Sequence, residues 1–272
     1  MRLLNKIKNE FLNSNNLNKI IYINVLIFLL INIISVISTL YVFEIQPYID
    51  KLTLSSETSK IITQPWSLFT FMFIHDNFLH LIFNMLWLHF GGKLFLDYLN
   101  EKQLIYTYIL GGIFGGILFV IAFNYFPKLI NNFLGLPLWG SSASVLAVFF
   151  GISTKVPNYQ IKFPFLGHIK LKYISLFLFI ISFSLLEGTN PGGNFAHIGG
   201  AFFGYIYIKQ IQNKRKSLFS DFISIFRNPK SKKTKSKKEI NEVDVVLEKI
   251  SKSGYSSLNK QEKDLLFKSS KK

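Results

Sequence analysis

Three short groups of polar residues interrupt the long apolar stretches of this sequence, and their side chains suit acyl-transfer chemistry. The groups contain His80, Asn84, Ser141, Ser142, Ser144 and His197. A serine hydroxyl can act as a nucleophile, an imidazole as its general base, and amide or imidazole N–H groups as donors to a developing oxyanion. Polar groups inside membrane-spanning segments are costly, so each of these residues is a candidate functional residue.

The serine group and His197 suggest a nucleophile and its base. The serines follow Gly140 at the start of an apolar run, where first-turn helix amides lack intrahelical acceptors and can hold an oxyanion. His197 precedes Gly200 and Gly204, a GxxxG pair that lets another helix approach closely. The surrounding apolar runs contain no acidic residue except Glu187 at one end, so the pair would be a dyad without a carboxylate. Alternatively, the serines only pack or cap helices and the histidine is a buried neutral side chain bonded to a carbonyl.

His80 and Asn84 lie four residues apart and therefore share one face of a helix. Both can donate hydrogen bonds toward one point, as an oxyanion site requires, or they can simply join two helices. We expect His75 and His89 to be interfacial or structural, and we assign no role to His168. No carboxylate spacing accompanies these histidines, so we expect no metal and no cofactor.

Six apolar runs must position these side chains. A helix needs roughly 20 mostly apolar residues to cross a bilayer. The runs are 20–43, 77–95, 103–123, 141–153, 171–186 and 194–208. The first carries no charge and no cleavage site, so it is an uncleaved span. The fourth is too short to cross unless it begins below the membrane surface. The predicted fold is an all-α, polytopic bundle of six transmembrane helices.

The distribution of basic residues predicts the orientation of the bundle. The segments proposed to be cytoplasmic, which hold nearly all Lys and Arg, are 1–19, 93–102, 153–170 and the tail from residue 209. The segments proposed to be outside hold only Lys51, Lys60 and Lys128. Because positive loops stay inside, both termini are expected in the cytoplasm.

Composition excludes several classes of protein. The 272 residues are 49% hydrophobic and 17% charged, too apolar for a disordered chain. The absence of Cys excludes a disulfide scaffold, a thiolate metal site and a cysteine nucleophile. The net charge is +16, with a net +10 in residues 211–272. We expect no nucleic-acid partner, because the basic residues lie where a membrane protein places its cytoplasmic charges.

We predict four regions along the chain: a cytoplasmic segment 1–19, a membrane domain 20–210, a basic linker 211–238 and a small cytoplasmic helical extension 239–272. In the extension, Asn259 and Glu262 have the spacing of a helix capping box. The alternative for the extension is a mostly disordered tail at an anionic lipid surface.

The polar groups resemble the signature elements of the rhomboid intramembrane serine proteases. The HxxxN, GxSx and AHxxGxxxG elements occur in the order of that family, as His80…Asn84, Gly140-Ser141-Ser142-Ala143 and 196–204. The segment 65–75 is also similar, and the resemblance covers about residues 20–210. The tail around residues 250–255 looks like a cytoplasmic extension of rhomboids from Bacteroidetes-type bacteria.

This resemblance implies specific roles. Ser142 would be the nucleophile and His197 the general base, while the Ser142 backbone amide, His80 and Asn84 would bind the oxyanion. The substrates would be single-span membrane proteins, cut near the outer leaflet of a bacterial inner membrane. The resemblance leaves the oligomeric state open.

Two positions depart from the family pattern, and two other functions remain open. Ala143 stands where a glycine often follows the nucleophile, and Leu146 stands where an aromatic residue often stacks beneath the histidine. An inactive relative that binds membrane clients should lack one member of the dyad. A transporter or channel should show internal hydropathy symmetry, and this sequence shows no such repeat.

Overall fold

The fold is a bundle of helices joined by short connections. The computed structural model describes residues 2–133, 135–163, 167–184, 191–213, 245–250 and 255–269. In chain order the first eleven α-helices are α1 (Arg2–Asn13), α2 (Asn16–Tyr41), α3 (Gln46–Asp50), α4 (Thr58–Thr63), α5 (Ser67–Thr70), α6 (Phe78–Tyr98), α7 (Glu101–Tyr125), α8 (Pro127–Phe133), α9 (Ser142–Lys155), α10 (Leu171–Ser184) and α11 (Pro191–Gln212). A 3-10 turn at Phe71–Phe73 follows α5.

Each predicted apolar run lies on a helix of this bundle. Among the described residues, α2, α6 and α7 are long and apolar enough to cross a membrane, with 26, 21 and 25 residues. Helix α9 has 14 residues, and the described part of α10 also has 14, so each of these lengths is about 21 Å, against a hydrocarbon core of about 30 Å. The short fourth run therefore begins or ends inside the bundle. The prediction of an all-α membrane bundle is confirmed.

Asparagine side chains start the three long helices. Asn15, Asn77 and Asn100 each accept a hydrogen bond from the backbone N–H three residues later. This bond satisfies one of the amides that a helix start leaves without a partner. At the other end of α2, Val42 adopts a left-handed backbone with φ 54°, so the helix of the first apolar run ends at Tyr41 rather than at the predicted residue 43.

The closest helix packing surrounds α9, which contacts α11 and α7 most extensively. A Cβ at Gly200 would meet the carbonyl oxygen of Ala143, and a Cβ at Gly204 would meet that of Ala147. Glycine at both positions of α11 therefore allows the two backbones to touch. This crossing fixes the position of α9 relative to α11.

Two short strand pairs were not predicted. Strand β1 (Leu54–Ser55) pairs antiparallel with β2 (Pro137–Leu138), just before α9. Gly140 follows with φ +108°, a region that favours glycine, and its N–H donates to the Phe71 carbonyl at 3.0 Å. Strands β3 (Gln160–Phe163) and β4 (Gly167–Lys170) pair antiparallel between α9 and α10. The first pair therefore fixes the chain immediately ahead of the serine group.

The chain divides into two units, Met1–Ser217 and Leu218–Lys272. In the second unit, residues 245–250 are helical and a further helix covers Lys260–Ser269. The predicted capping box is present: Glu262 N–H donates to Asn259 Oδ1 at 2.9 Å, and Asn259 N–H donates to Glu262 Oε2 at 2.8 Å. Most of the predicted linker lies outside the described residues.

Candidate functional site

Ser142 and His197 are in contact between α9 and α11 although they are 55 residues apart in sequence. Ser142 is the first residue of α9, and His197 lies in the first half of α11. The distance from Ser142 Oγ to His197 Nε2 is 2.7 Å. At this distance the serine hydroxyl can donate a hydrogen bond to the unprotonated nitrogen of a neutral imidazole, which is the arrangement of a nucleophile and its base.

The two neighbouring serines have different partners. Ser141 Oγ lies 3.1 Å from His75 Nε2, and Ser144 Oγ donates to Met72 Sδ at 3.8 Å. Both serine side chains are fully buried, whereas Ser142 is half-buried. Of the three hydroxyls, that of Ser142 is the one paired with the imidazole of α11.

A cavity of about 250 Å³ opens beside this pair. Ser142, His197 and Asn84 line it, and Trp87 and Phe149 belong to its largely apolar wall. A pocket with an apolar wall and a few convergent polar groups is typical of a ligand or substrate site. The cavity therefore leaves open space beside the hydroxyl–imidazole pair.

His80 and Asn84 adjoin the pair in different ways. Asn84 Nδ2 donates one hydrogen bond to the His80 carbonyl at 3.0 Å, and its amide carries a second proton. The His80 ring lies against the glycine before the serines, because a Cβ at Gly140 would be 2.7 Å from His80 Nε2. His80 is not among the residues that line the cavity.

The sequence analysis missed the partner of His80. Asp76 Oδ1 lies 2.6 Å from His80 Nδ1, and the two side chains are partly exposed, at 43% and 29%. Burial raises the pKa of Asp76, but the hydrogen bond and the charge of His80 outweigh it, so the pKa is lowered overall. The spacing of four residues on the chain is the signal that could have revealed this pair.

His75 occupies a buried position in the connection before α6, beneath the start of α9. It is 4% exposed, and burial together with the nearby charge of His80 lowers its pKa to about 4. It is therefore neutral near pH 7 and can share a hydrogen bond with Ser141. Of the remaining histidines, His89 on α6 and His168 on β4 are exposed.

A second polar network, also missed by the sequence analysis, lies under the serine group. Asn24 Nδ2 of α2 donates to the Tyr108 hydroxyl of α7 at 3.2 Å, and the Ser141 side chain lies close to that hydroxyl. Asn24, Tyr108 and Ser141 are all fully buried. The hydrogen bond between Asn24 and Tyr108 therefore ties α2 to α7 close to the start of α9.

Comparison with known proteins gives one clear match. A family model described as "Rhomboid domain" matches residues 63–213, which is more than half of the chain. The matched region contains α6 to α11 and every side chain of the pair and its cavity. No curated protein matches the chain significantly. In the part of the chain that the structure describes, no group of three His, Asp or Glu residues could hold a metal ion.

Proposed function

The chain belongs to the rhomboid family, and from this premise we propose that it is a serine endopeptidase that cuts transmembrane helices inside the membrane. Rhomboid-family chains are intramembrane proteases or inactive homologues, and all of them are multi-pass membrane proteins. One observation favours the protease: Ser142 Oγ lies 2.7 Å from His197 Nε2. An inactive homologue has no need to keep this contact beside an open cavity.

In the proposed mechanism Ser142 attacks the carbonyl carbon of a substrate peptide bond while His197 Nε2 takes the hydroxyl proton. His197 then gives this proton to the leaving amine, and the substrate acyl group stays on Ser142. A water molecule next attacks the acyl carbon as His197 removes its proton. The proton returns to Ser142 Oγ as the acid product leaves.

The oxyanion would be held by the Ser142 backbone amide together with Asn84 and His80. The start of α9 supports the first donor, because the positive end of the helix dipole and the first-turn amides lie there. The position of Asn84 on the cavity supports the second. A donor of this kind contributes roughly 3–4 kcal/mol when water is excluded.

The proposed substrates are single-span membrane proteins of the bilayer that holds the enzyme. Helix α9 is too short to span, and with a cytoplasmic N-terminus it runs inward from the outer half of the membrane. Its first residue, Ser142, would then meet substrate helices near the outer leaflet. We place the protein in a bacterial inner membrane with both termini in the cytoplasm, as its basic segments favour.

A serine-directed fluorophosphonate tests this proposal on the full chain in detergent. We expect the wild-type protein to be labelled, Ser142→Ala to lose the label, and His197→Ala to be labelled far more slowly. Ser144→Ala is the matched control, because it removes a hydroxyl two residues away that bonds Met72 instead. Equal labelling of Ser142→Ala would contradict the assignment, and an unlabelled wild type would favour an inactive relative that binds membrane clients.

A further inference from the structure

The second ring nitrogen of His197 needs a partner in the proposed mechanism. A neutral imidazole has one N–H, so if Nε2 accepts the Ser142 proton, Nδ1 carries the ring proton. In serine hydrolases with a triad, a carboxylate accepts this N–H and fixes the tautomer. The helices that meet at His197 supply no carboxylate, because α9, α10 and α11 contain no Asp or Glu in their described residues.

A serine hydroxyl from α10 occupies the corresponding place. Ser182 Oγ lies 3.5 Å from His197 Nδ1, on the opposite edge of the ring from Ser142. Ser182 is 7% exposed and lines the same cavity as the dyad. The distance is long for a hydrogen bond, but catalytic hydrogen bonds often tighten only when substrate is bound.

We propose that Ser182 is a positioning residue that accepts the Nδ1–H of His197 and so fixes the tautomer and orientation of the general base. This inference rests on the proposed function of the dyad. It gives a hydrogen-bonded series, Ser182–His197–Ser142, in which α10, α11 and α9 each contribute one side chain. Ser182 itself does not touch the reacting atoms.

The hydrogen bond from Nδ1 strengthens as the reaction proceeds. When Nε2 takes the Ser142 proton the ring becomes an imidazolium, and hydrogen bonds from charged donors are stronger than neutral ones. The Nδ1 proton stays on the ring, and Ser182 remains a neutral hydroxyl throughout. An interaction that is stronger in the transition state than in the ground state raises kcat.

The cavity wall one turn after Ser142 offers no substitute for this bond. The residue one turn after Ser142 is Leu146, and its aliphatic side chain lines the cavity without a polar atom. Packing can therefore restrain the face of the imidazole, but the tautomer must be set by a polar group at Nδ1. Ser182 is the side chain that the structure records there.

A second serine of α10 provides a matched control. Ser175 is 5% exposed, and its hydroxyl donates to the Leu171 carbonyl of its own helix at 3.1 Å. Replacing either serine by alanine removes one buried hydroxyl from α10. The two replacements therefore cost similar stability, but they differ in whether a bond to His197 is lost.

The test is cleavage of a fluorogenic transmembrane substrate by the full chain in detergent, with kcat and KM measured separately. We expect Ser182→Ala to lower kcat about tenfold with little change in KM, the size expected from losing one hydrogen bond to the transition state. Ser175→Ala should match the wild type. Ser182→Thr keeps a hydroxyl and should retain most of kcat.

Two results would overturn this inference while leaving the dyad in place: Ser182→Ala as active as Ser175→Ala, or Ser182→Thr as impaired as Ser182→Ala. The second result would mean that the size of the side chain at position 182, and not its hydroxyl, determines the activity. Thermal unfolding of all three variants identifies any loss of activity that merely follows loss of structure. Failure of the wild type to cleave or to be labelled would instead overturn the proposed function itself.

Discussion

At the scale of single residues, the partner of each side chain decides what it can do. Ser141, Ser142 and Ser144 are chemically identical and lie within one helical turn. Their hydroxyls nevertheless contact an imidazole of the preceding connection, an imidazole of α11 and a thioether. The resemblance on the sequence selected Ser142, but no property of the serines themselves distinguishes them. The distinction arises from the helix crossing.

The Asp76–His80 pair gives the first prediction at this scale. Asp76→Ala removes the carboxylate that holds His80 Nδ1, so the imidazole loses its orientation toward Gly140 and the start of α9. We expect cleavage to slow about fivefold, a modest effect because a partly exposed ion pair contributes only about 1 kcal/mol. The measurement is kcat/KM with a transmembrane substrate.

Asp50→Ala is the control for this prediction. Asp50 is an exposed carboxylate of α3 that accepts a hydrogen bond from Gln46, whereas Asp76 is the carboxylate paired with His80. Its replacement should leave the rate unchanged. If Asp76→Ala and Asp50→Ala cleave equally fast, the carboxylate has no part in positioning His80.

At the scale of secondary structure elements, the helices were predictable and several contacts between them were not. Apolar runs long enough to be helical stand out directly in the sequence, and α2, α6, α7, α9, α10 and α11 all coincide with them. Strand pairs of two to four residues, such as β1–β2, have too little periodicity to be recognised. The partners Asp76 and Ser182 were also missed, the latter because its contact with His197 depends on how α10 packs against α11.

The glycine crossing of α9 and α11 gives a prediction about stability. Gly200→Ala would place a methyl group against the backbone carbonyl of Ala143, which cannot rotate away. We expect the free energy of unfolding to fall by about 1–3 kcal/mol, the usual cost of overpacking, and cleavage to fall with it. Thermal unfolding in detergent measures the change.

Gly151→Ala on α9 is the matched control for Gly200→Ala. A Cβ at Gly151 would lie 3.2 Å from Ile208 Cγ1 and 3.3 Å from Phe95 Cε2, and both of these atoms belong to side chains that can adjust. Its destabilisation should be clearly smaller. Equal destabilisation by the two variants would contradict the account. It would show that the backbone contact between Gly200 and Ala143 tolerates a methyl group no less than the side-chain contacts of Gly151 do.

At the scale of the whole molecule, the apolar bundle holds a cavity that brings a few polar side chains together. Side chains of α6, α9, α10 and α11 line the cavity beside Ser142 and His197. The membrane character was predictable from composition and from the six runs, because apolar length is a property of the sequence alone. The depth and shape of the cavity were not, since they depend on side chains from four helices.

The proposed orientation can be tested because the chain has no cysteine. Three exposed residues can be replaced by cysteine one at a time. Ser59 lies in a predicted outer segment, whereas Lys8 and Lys260 lie in the two predicted cytoplasmic ends. In spheroplasts, a membrane-impermeant maleimide should label Ser59→Cys at once and the other two only after permeabilisation. Immediate labelling of Lys8→Cys or Lys260→Cys, with Ser59→Cys protected, would reverse the orientation.

The most direct test of the central claim is cleavage of a single-span reporter by purified full-length protein in liposomes. The wild type should cut the reporter within its transmembrane segment or at its outer edge. Ser142→Ala and His197→Ala should each slow the reaction by about a thousandfold or more, as expected for removal of a nucleophile or its base. The same product formed at an undiminished rate by Ser142→Ala would contradict the account.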